Sequence, residues 1–207
     1  MKEGRVVVGF SNPYVAKYNN AGGTVTYTDG RRLARGVKVS LDVDSSDDND
    51  FYADDVVAES ENGQFTGGTA NLTVDGLLAE SEKFIAGLPE PETVTVGDRE
   101  VKIYKHGVKA KPPYLAIGFI VQYRSDGKNT FVPTILTKAK FQTAKLEAST
   151  REKETSWQTQ DLVADLSRDD TPDQNWKWVM EDQDSREAAD AILRQLLNVA
   201  VNQGAEE

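Results

Sequence analysis

Residues 115–136 read Leu115-Ala-Ile-Gly-Phe-Ile-Val-Gln-Tyr-Arg-Ser-Asp-Gly-Lys-Asn-Thr-Phe-Val-Pro-Thr-Ile-Leu136. Leu115, Ile117, Phe119, Val121 and Tyr123 fall at period two, the longest such set in the chain. A repeat of two puts alternate side chains on one face of an extended strand. Asp126-Gly127 follows as a turn signal, and Thr130–Leu136 is the return strand of a hairpin.

The same pattern recurs outward in both directions. Val6-Val7-Val8 opens a β run, and Thr24 to Thr28 alternates in β-favouring residues. Asp29-Gly30 reads as a turn. Val37, Val39, Leu41 and Val43 alternate with Lys38, Ser40 and Asp42, which predicts a strand with one buried face. Asn62-Gly63 predicts a hairpin between Asp55–Glu61 and Gln64–Thr73. Phe141–Ala148 and Trp157–Val163 read as further strands, and Trp176, Trp178 and Met180 alternate. Pro89–Pro91 and Lys111-Pro112-Pro113 mark loops.

Two helices interrupt the strands. The first is capped by Asp75, runs through Leu77-Leu78 to Phe84-Ile85 and stops at Gly87. The second opens on Asp184 with Glu187 three residues on, a capping-box pattern. Its apolar positions Ala189, Ile192, Leu193, Leu196, Leu197 and Ala200 form one stripe, ended by Gly204. The expected fold is mainly β, a β-sandwich or partly closed barrel with one flanking helix, plus a C-terminal amphipathic helix. The 207 residues divide into a β-domain over 1–180 and a helical extension over 181–207.

Composition narrows the function classes. The chain is 38% hydrophobic with a mean hydropathy of -0.54. It holds no apolar run near the roughly 20 residues that span a bilayer. Its N-terminal Met-Lys-Glu-Gly-Arg lacks the apolar stretch of a signal peptide. Without cysteine there is no disulfide, thiol catalysis or cysteine-bound zinc. The net charge of -10 is laid down in blocks. Val39–Glu82 carries twelve acids and no Lys or Arg, whereas residues 1–38 are net +5, 99–153 net +8 and 154–207 net -9. Blocks of opposite sign steer complementary surfaces together and repel wrong ones.

No motif organises chemistry. Counting from Asp44, the acidic loop through Asp50 to Asp55 has the length of a calcium loop. It places Asn49 where an EF-hand needs Gly, and strands flank it instead of helices. His106 is the lone histidine and no Gly-x-Ser-x-Gly elbow exists, so a histidine triad has no frame. The acids lie in loop-like sequence without an aromatic cluster to hold a sugar. Phosphate-loop and dinucleotide fingerprints are absent. The basic stretch Arg99–Lys111 carries one aromatic, Tyr104, which is poor provision for reading nucleic acid. No catalytic, cofactor or metal residue is therefore expected.

Three stretches in this order do resemble a known family. They are Asp29–Asp42 running into Asp50-Phe-Tyr-Ala-Asp-Asp55, the glycine-bearing Phe65–Thr73 followed by a helix, and Pro112-Pro-Tyr-Leu-Ala-Ile-Gly-Phe-Ile-Val-Gln122 with Phe131–Phe141 and Trp157–Gln160. They resemble the major tail tube proteins of long-tailed, non-contractile bacteriophages over roughly residues 1–180. Residues 181–207 depart from that pattern. The resemblance implies a virion protein, assembled in the bacterial cytoplasm, whose hexameric rings stack into a hollow tail tube. Its implied partners are further copies of itself, the tape measure protein, the tail terminator and distal tail proteins, and DNA passing without sequence-specific binding. No membrane is implied. A long loop between early strands would reach the next ring or line the lumen. Here that loop holds Asp44, Asp47, Asp48, Asp50, Phe51, Tyr52, Asp54 and Asp55. The alternatives are a tube protein of the type VI secretion kind, similar in fold, and a carbohydrate-binding or cell-surface β-sandwich. The aromatic content of 8% and the missing signal sequence argue against the second.

Overall fold

A computed structural model describes residues 4–47, 49–53, 56–61, 63–145 and 158–200. Over the described residues the chain is mainly β with two helices. The strands are β1 (Val6–Ala21), β2 (Thr24–Arg32), β3 (Gly36–Ser45), β4 (Asn49–Ala53), β5 (Val56–Glu61) and β6 (Phe65–Val74). After α1 (Ala79–Ala86) come β7 (Glu92–Val96), β8 (Arg99–Ile103), β9 (Leu115–Ser125), β10 (Lys128–Phe141), β11 (Gln160–Ser167) and β12 (Lys177–Val179), then α2 (Arg186–Leu196).

One antiparallel sheet carries the fold, in the order β2-β1-β9-β10-β11-β6-β3, with β12 also paired to β10. Its two terminal strands, β2 and β3, are consecutive in sequence and joined by residues 33–35 alone. So short a link forces the sheet to roll until its ends meet. Leu33 is buried at that seam and its N–H donates to Pro13 O at 2.9 Å. Asp75 closes the seam from the other side. It accepts from Arg35 N at 2.9 Å and pairs with the Arg35 guanidinium. The sequence reading assigned Asp75 to a helix cap, but α1 starts after Leu78, which caps nothing with its side chain.

The hairpin read from residues 115–136 is the centre of this sheet. Ser125 pairs with Lys128 across Asp126 and Gly127, both at positive φ, as a two-residue turn requires. β9 is buried on both faces, because its intervening residues are small or apolar. Leu115, Ile117 and Phe119 point into the rolled interior with Leu72, Phe84, Ile85, Leu136 and Leu162. Ala116 and Ile120 point outward to a second cluster, with Tyr14, Tyr27, Ile135, Ala189, Leu193 and Leu197. A Cβ at Gly118 would lie 2.5 Å from Leu197 Cδ1, so this glycine makes the hollow in which α2 rests.

β1 serves both clusters through a bulge. Its register against β9 slips between Ser11 and Tyr14, at Asn12 with φ 52. The slip reverses the alternation, so Phe10 and Val15 face the interior while Tyr14 and Ala16 face α2. Asp29-Gly30 behaves likewise. It was read as a turn, yet it lies inside β2, with Asp29 at φ 55 absorbing an irregularity in the ladder to β1.

The helix α2 is capped by Ser185, whose hydroxyl accepts from Ala188 N, and not by Asp184 with Glu187. It ends at Leu196, and Gly204 lies outside the described residues. The further strand read over Phe141–Ala148 is absent where it is described: Phe141 ends β10, residues 142–145 are not strand, and 146–148 lie outside the described residues. Trp157 lies outside the described residues too. Finally, the hairpin expected between Asp55–Glu61 and Gln64–Thr73 does not form, because β5 pairs with β4 while β6 pairs with β3 and β11; Asn62 itself lies outside the described residues.

Candidate assembly surfaces

Pairing of β3 with β6 and of β4 with β5 makes one two-stranded arm. The ladder runs from Gly36↔Val74 to Ser45↔Phe65. Ser46 N and Gln64 O continue it at 2.8 Å. It resumes from Asn49↔Glu61 to Ala53↔Val56. The base of the arm belongs to the large sheet through β6 and β11, while β4–β5 forms a separate two-stranded piece. Antiparallel strands joined by a short tip need no third element to define their direction, so the arm is a direct consequence of local pairing.

The described residues among the expected site residues fall on this arm. Asp44 is exposed on β3 opposite Gly67, and Asp47 is exposed just beyond it. Asp50, Phe51 and Tyr52 lie on β4, in register with Ser60, Glu59 and Val57. Asp48, Asp54 and Asp55 lie outside the described residues. The pairing adds Glu59 and Glu61 on β5, opposite Phe51 and Asn49. Among the described residues, no group of three His, Cys, Asp or Glu comes together as metal ligands would.

A second protrusion escaped the sequence reading. β7 and β8 form a hairpin in register from Glu92↔Ile103 to Val96↔Arg99, in a region read only as a proline loop and a basic stretch. The signal was present in Thr93-Val-Thr-Val96, which alternates, and in Gly97-Asp98, a two-residue turn. Polar contacts hold its root to α1: Tyr104 Oη donates to Glu80 at 2.6 Å, Lys83 Nζ reaches Glu90 at 2.7 Å and His106 lies 3.6 Å from Glu82. His106 thus belongs to an exposed surface contact. The Tyr104 hydroxyl holds the Glu80 carboxyl below its usual range.

Sheet edges are the third surface. Among the described residues, β3 pairs with β6 alone, and β1 pairs with β2 only from Tyr14 onward. Val6, Val7 and Val8 are exposed, as are Val37 and Val43 at the two ends of the β3 alternation. Unpaired edges with exposed β-branched residues invite a further strand.

An open groove of about 600 Å³ lies over β3, β6 and β11, lined by Lys38, Ser40, Asn71, Thr73, Gln142 and Asp161 among others. Asp169 is the one buried carboxylate among the described residues, and it accepts from Thr171 N at 3.1 Å to close a turn. No family model matches the chain, and no curated protein matches it.

Proposed function

We propose that this chain is a structural subunit that assembles with copies of itself into a tube, the major tail tube of a long-tailed, non-contractile bacteriophage. The arm Gly36–Val74 carries the reading. It leaves a rolled sheet, bears nine acids without a Lys or Arg between Val39 and Val74, and occupies the place in chain order where such tubes carry their ring-bridging loop. The order of elements supports the same reading, since glycine-bearing β6 runs directly into α1 and the Pro112–Gln122 stretch enters the central strand β9.

The physics of a tube asks for different surfaces on opposite sides of one subunit. Head-to-tail contacts of this kind close into rings when the rotation closes. Permanent interfaces bury on the order of 2,000 Å² or more, which free edges and two protruding hairpins can jointly supply. Alternating charge blocks favour one mutual orientation over others. Hexameric rings then stack around the tape measure protein and later conduct DNA, past acids that repel its phosphates.

Negative-stain electron microscopy of the purified protein tests this reading. Rings or tubes are the expected particles. Monomers alone, at every protein concentration and salt, would overturn it.

A further inference from the structure

We infer that Arg168 and Trp176 are an orienting clamp: they hold Phe65 where the arm leaves the rolled sheet, and so aim the acidic arm before a second copy meets it. The inference rests on the self-assembly reading for what the arm meets, whereas the clamp itself is built within one chain.

The arm needs support at this point. β11 leaves β6 at the pair Leu166↔Gly68, while the ladder to β3 runs on to Ser45↔Phe65. Beyond Gly68 the arm is a ribbon of two strands among the described residues, and such a ribbon is marginal in water on its own. The ladder also slips here. Asp44 opposes Gly67 and Ser45 opposes Phe65, which leaves Thr66 unopposed. A bulge of this kind bends the strand and increases its twist, so the direction of the arm is set beside Phe65.

Two side chains of one segment close on that residue. Arg168 Nε donates to Phe65 O at 2.7 Å, Nη2 donates to the same oxygen, and Nη1 donates to Gln174 Oε1 at 2.9 Å. A guanidinium presents its donors in a fixed planar fork, so it restrains angle as well as distance. The Phe65 ring stacks on Trp176, with centroids 4.6 Å apart and planes at 5°. The segment that carries both is anchored to the centre of the sheet. Thr137, fully buried on β10, donates from N to Trp176 O at 3.1 Å and from Oγ1 to Asn175 O at 2.7 Å. Asp169 N closes the segment on Asn175 O at 2.8 Å. Outward of the clamp, Ser46 N donates to Gln64 O at 2.8 Å and Gln64 N to Ser46 Oγ at 2.9 Å. Those bonds join the two strands of the arm to each other, whereas the clamp ties Phe65 to the sheet. An arm already held in one direction loses less freedom on binding, which strengthens assembly without a new contact.

The cysteine-free chain allows a direct test with paired spin labels on the full-length protein. Asp47→Cys with Gln195→Cys spans the arm and α2, and a control pair, Thr26→Cys with Gln195→Cys, stays on β2 and α2. Thr26, Asp47 and Gln195 are all exposed. Distances are read by pulsed electron paramagnetic resonance, at a dilution where sizing shows monomers. A narrow arm distribution is expected in the parent. It should broaden or shift in Arg168→Ala and in Trp176→Ala and be narrow again in Trp176→Phe, while the control pair keeps its distribution throughout. An arm distribution unchanged by both alanine variants overturns the clamp, and so does equal broadening of the control pair. Without labels, each alanine variant should need about tenfold more protein to form tubes, the equivalent of ~1.4 kcal/mol. Variant tubes at the parent's concentration would overturn the aiming role. A parent with the expected distances but no rings or tubes would overturn the tube reading and leave the clamp standing.

Discussion

The Tyr14 hydroxyl donates to Asp190 Oδ1 at 2.8 Å, joining strand β1 to helix α2 across nearly the whole chain. Asn12 Nδ2 donates to the same oxygen at 2.7 Å, and Arg194 pairs with Asp190 at 2.7 Å. The bulge at Asn12 is what turns Tyr14 toward the helix, so a kink in one strand positions the C-terminal element.

Tyr14→Phe is expected to lower unfolding stability by about 0.5–1.5 kcal/mol, since Asp190 keeps two other partners. Leu193→Ala removes a fully buried side chain beneath the same helix and is expected to cost about 2–5 kcal/mol. Urea denaturation checks both. Equal losses would mean that the hydrogen bond matters as much as the packing, against the order given.

Gly68 has φ 152, and a Cβ there would lie 2.3 Å from Asp42 O. Gly68→Ala must therefore push β6 from β3 at the root of the arm, at a cost of roughly 1–3 kcal/mol. Hydrogen exchange should show faster amide exchange in β3 and β6 than in β9 and β10. Uniform exchange, or unchanged stability, would contradict the role given to this glycine.

Buried tyrosines set the alkaline limit. Burial raises the Tyr14 and Tyr27 hydroxyls, and burial with the Asp170 hydrogen bond pushes Tyr18 up to about 12. In the unfolded chain they ionise near ~10. Above that pH the folded state holds protons that the unfolded state has lost, so stability falls as pH rises from about 10 through 12. Below about 10 this contribution is fully present. Spectrophotometric titration should show these tyrosines ionising late in the native protein, and only together with unfolding. Ordinary reversible titration in the folded state would refute it.

Charge reversal on the arm separates two uses of its acids. Asp47→Lys with Asp50→Lys should abolish or strongly reduce tube formation if these acids contact a neighbouring copy. The monomer should keep its circular dichroism, because Asp47 is exposed and Asp50 lies on a ribbon outside the main sheet. Unchanged tube yield, with only DNA passage altered, would move the acids from the contact to the lumen.

The sequence alone determined the features that depend on neighbours along the chain. Period-two alternation over Leu115–Tyr123 with Asp126-Gly127 specified the central hairpin, because side-chain direction and turn conformation are local properties. The apolar stripe through Ala189 and Leu193 specified a helix with one covered face, and the acid block marked the arm in which Asp44, Asp50, Phe51 and Tyr52 lie. Pairing between distant segments was decided only by the tertiary structure. Asp75 carries a capping residue's chemistry, yet Arg35 claims it across the seam. Asp29-Gly30 has turn composition, yet β1 holds it within a strand. Asn62-Gly63 could close a hairpin, but β6 gains more from lying between β3 and β11. In the Leu115–Leu136 hairpin, local chemistry and the rolled sheet require the same structure. Which edges, faces and acids meet around it follows from burial, which no single stretch of sequence contains.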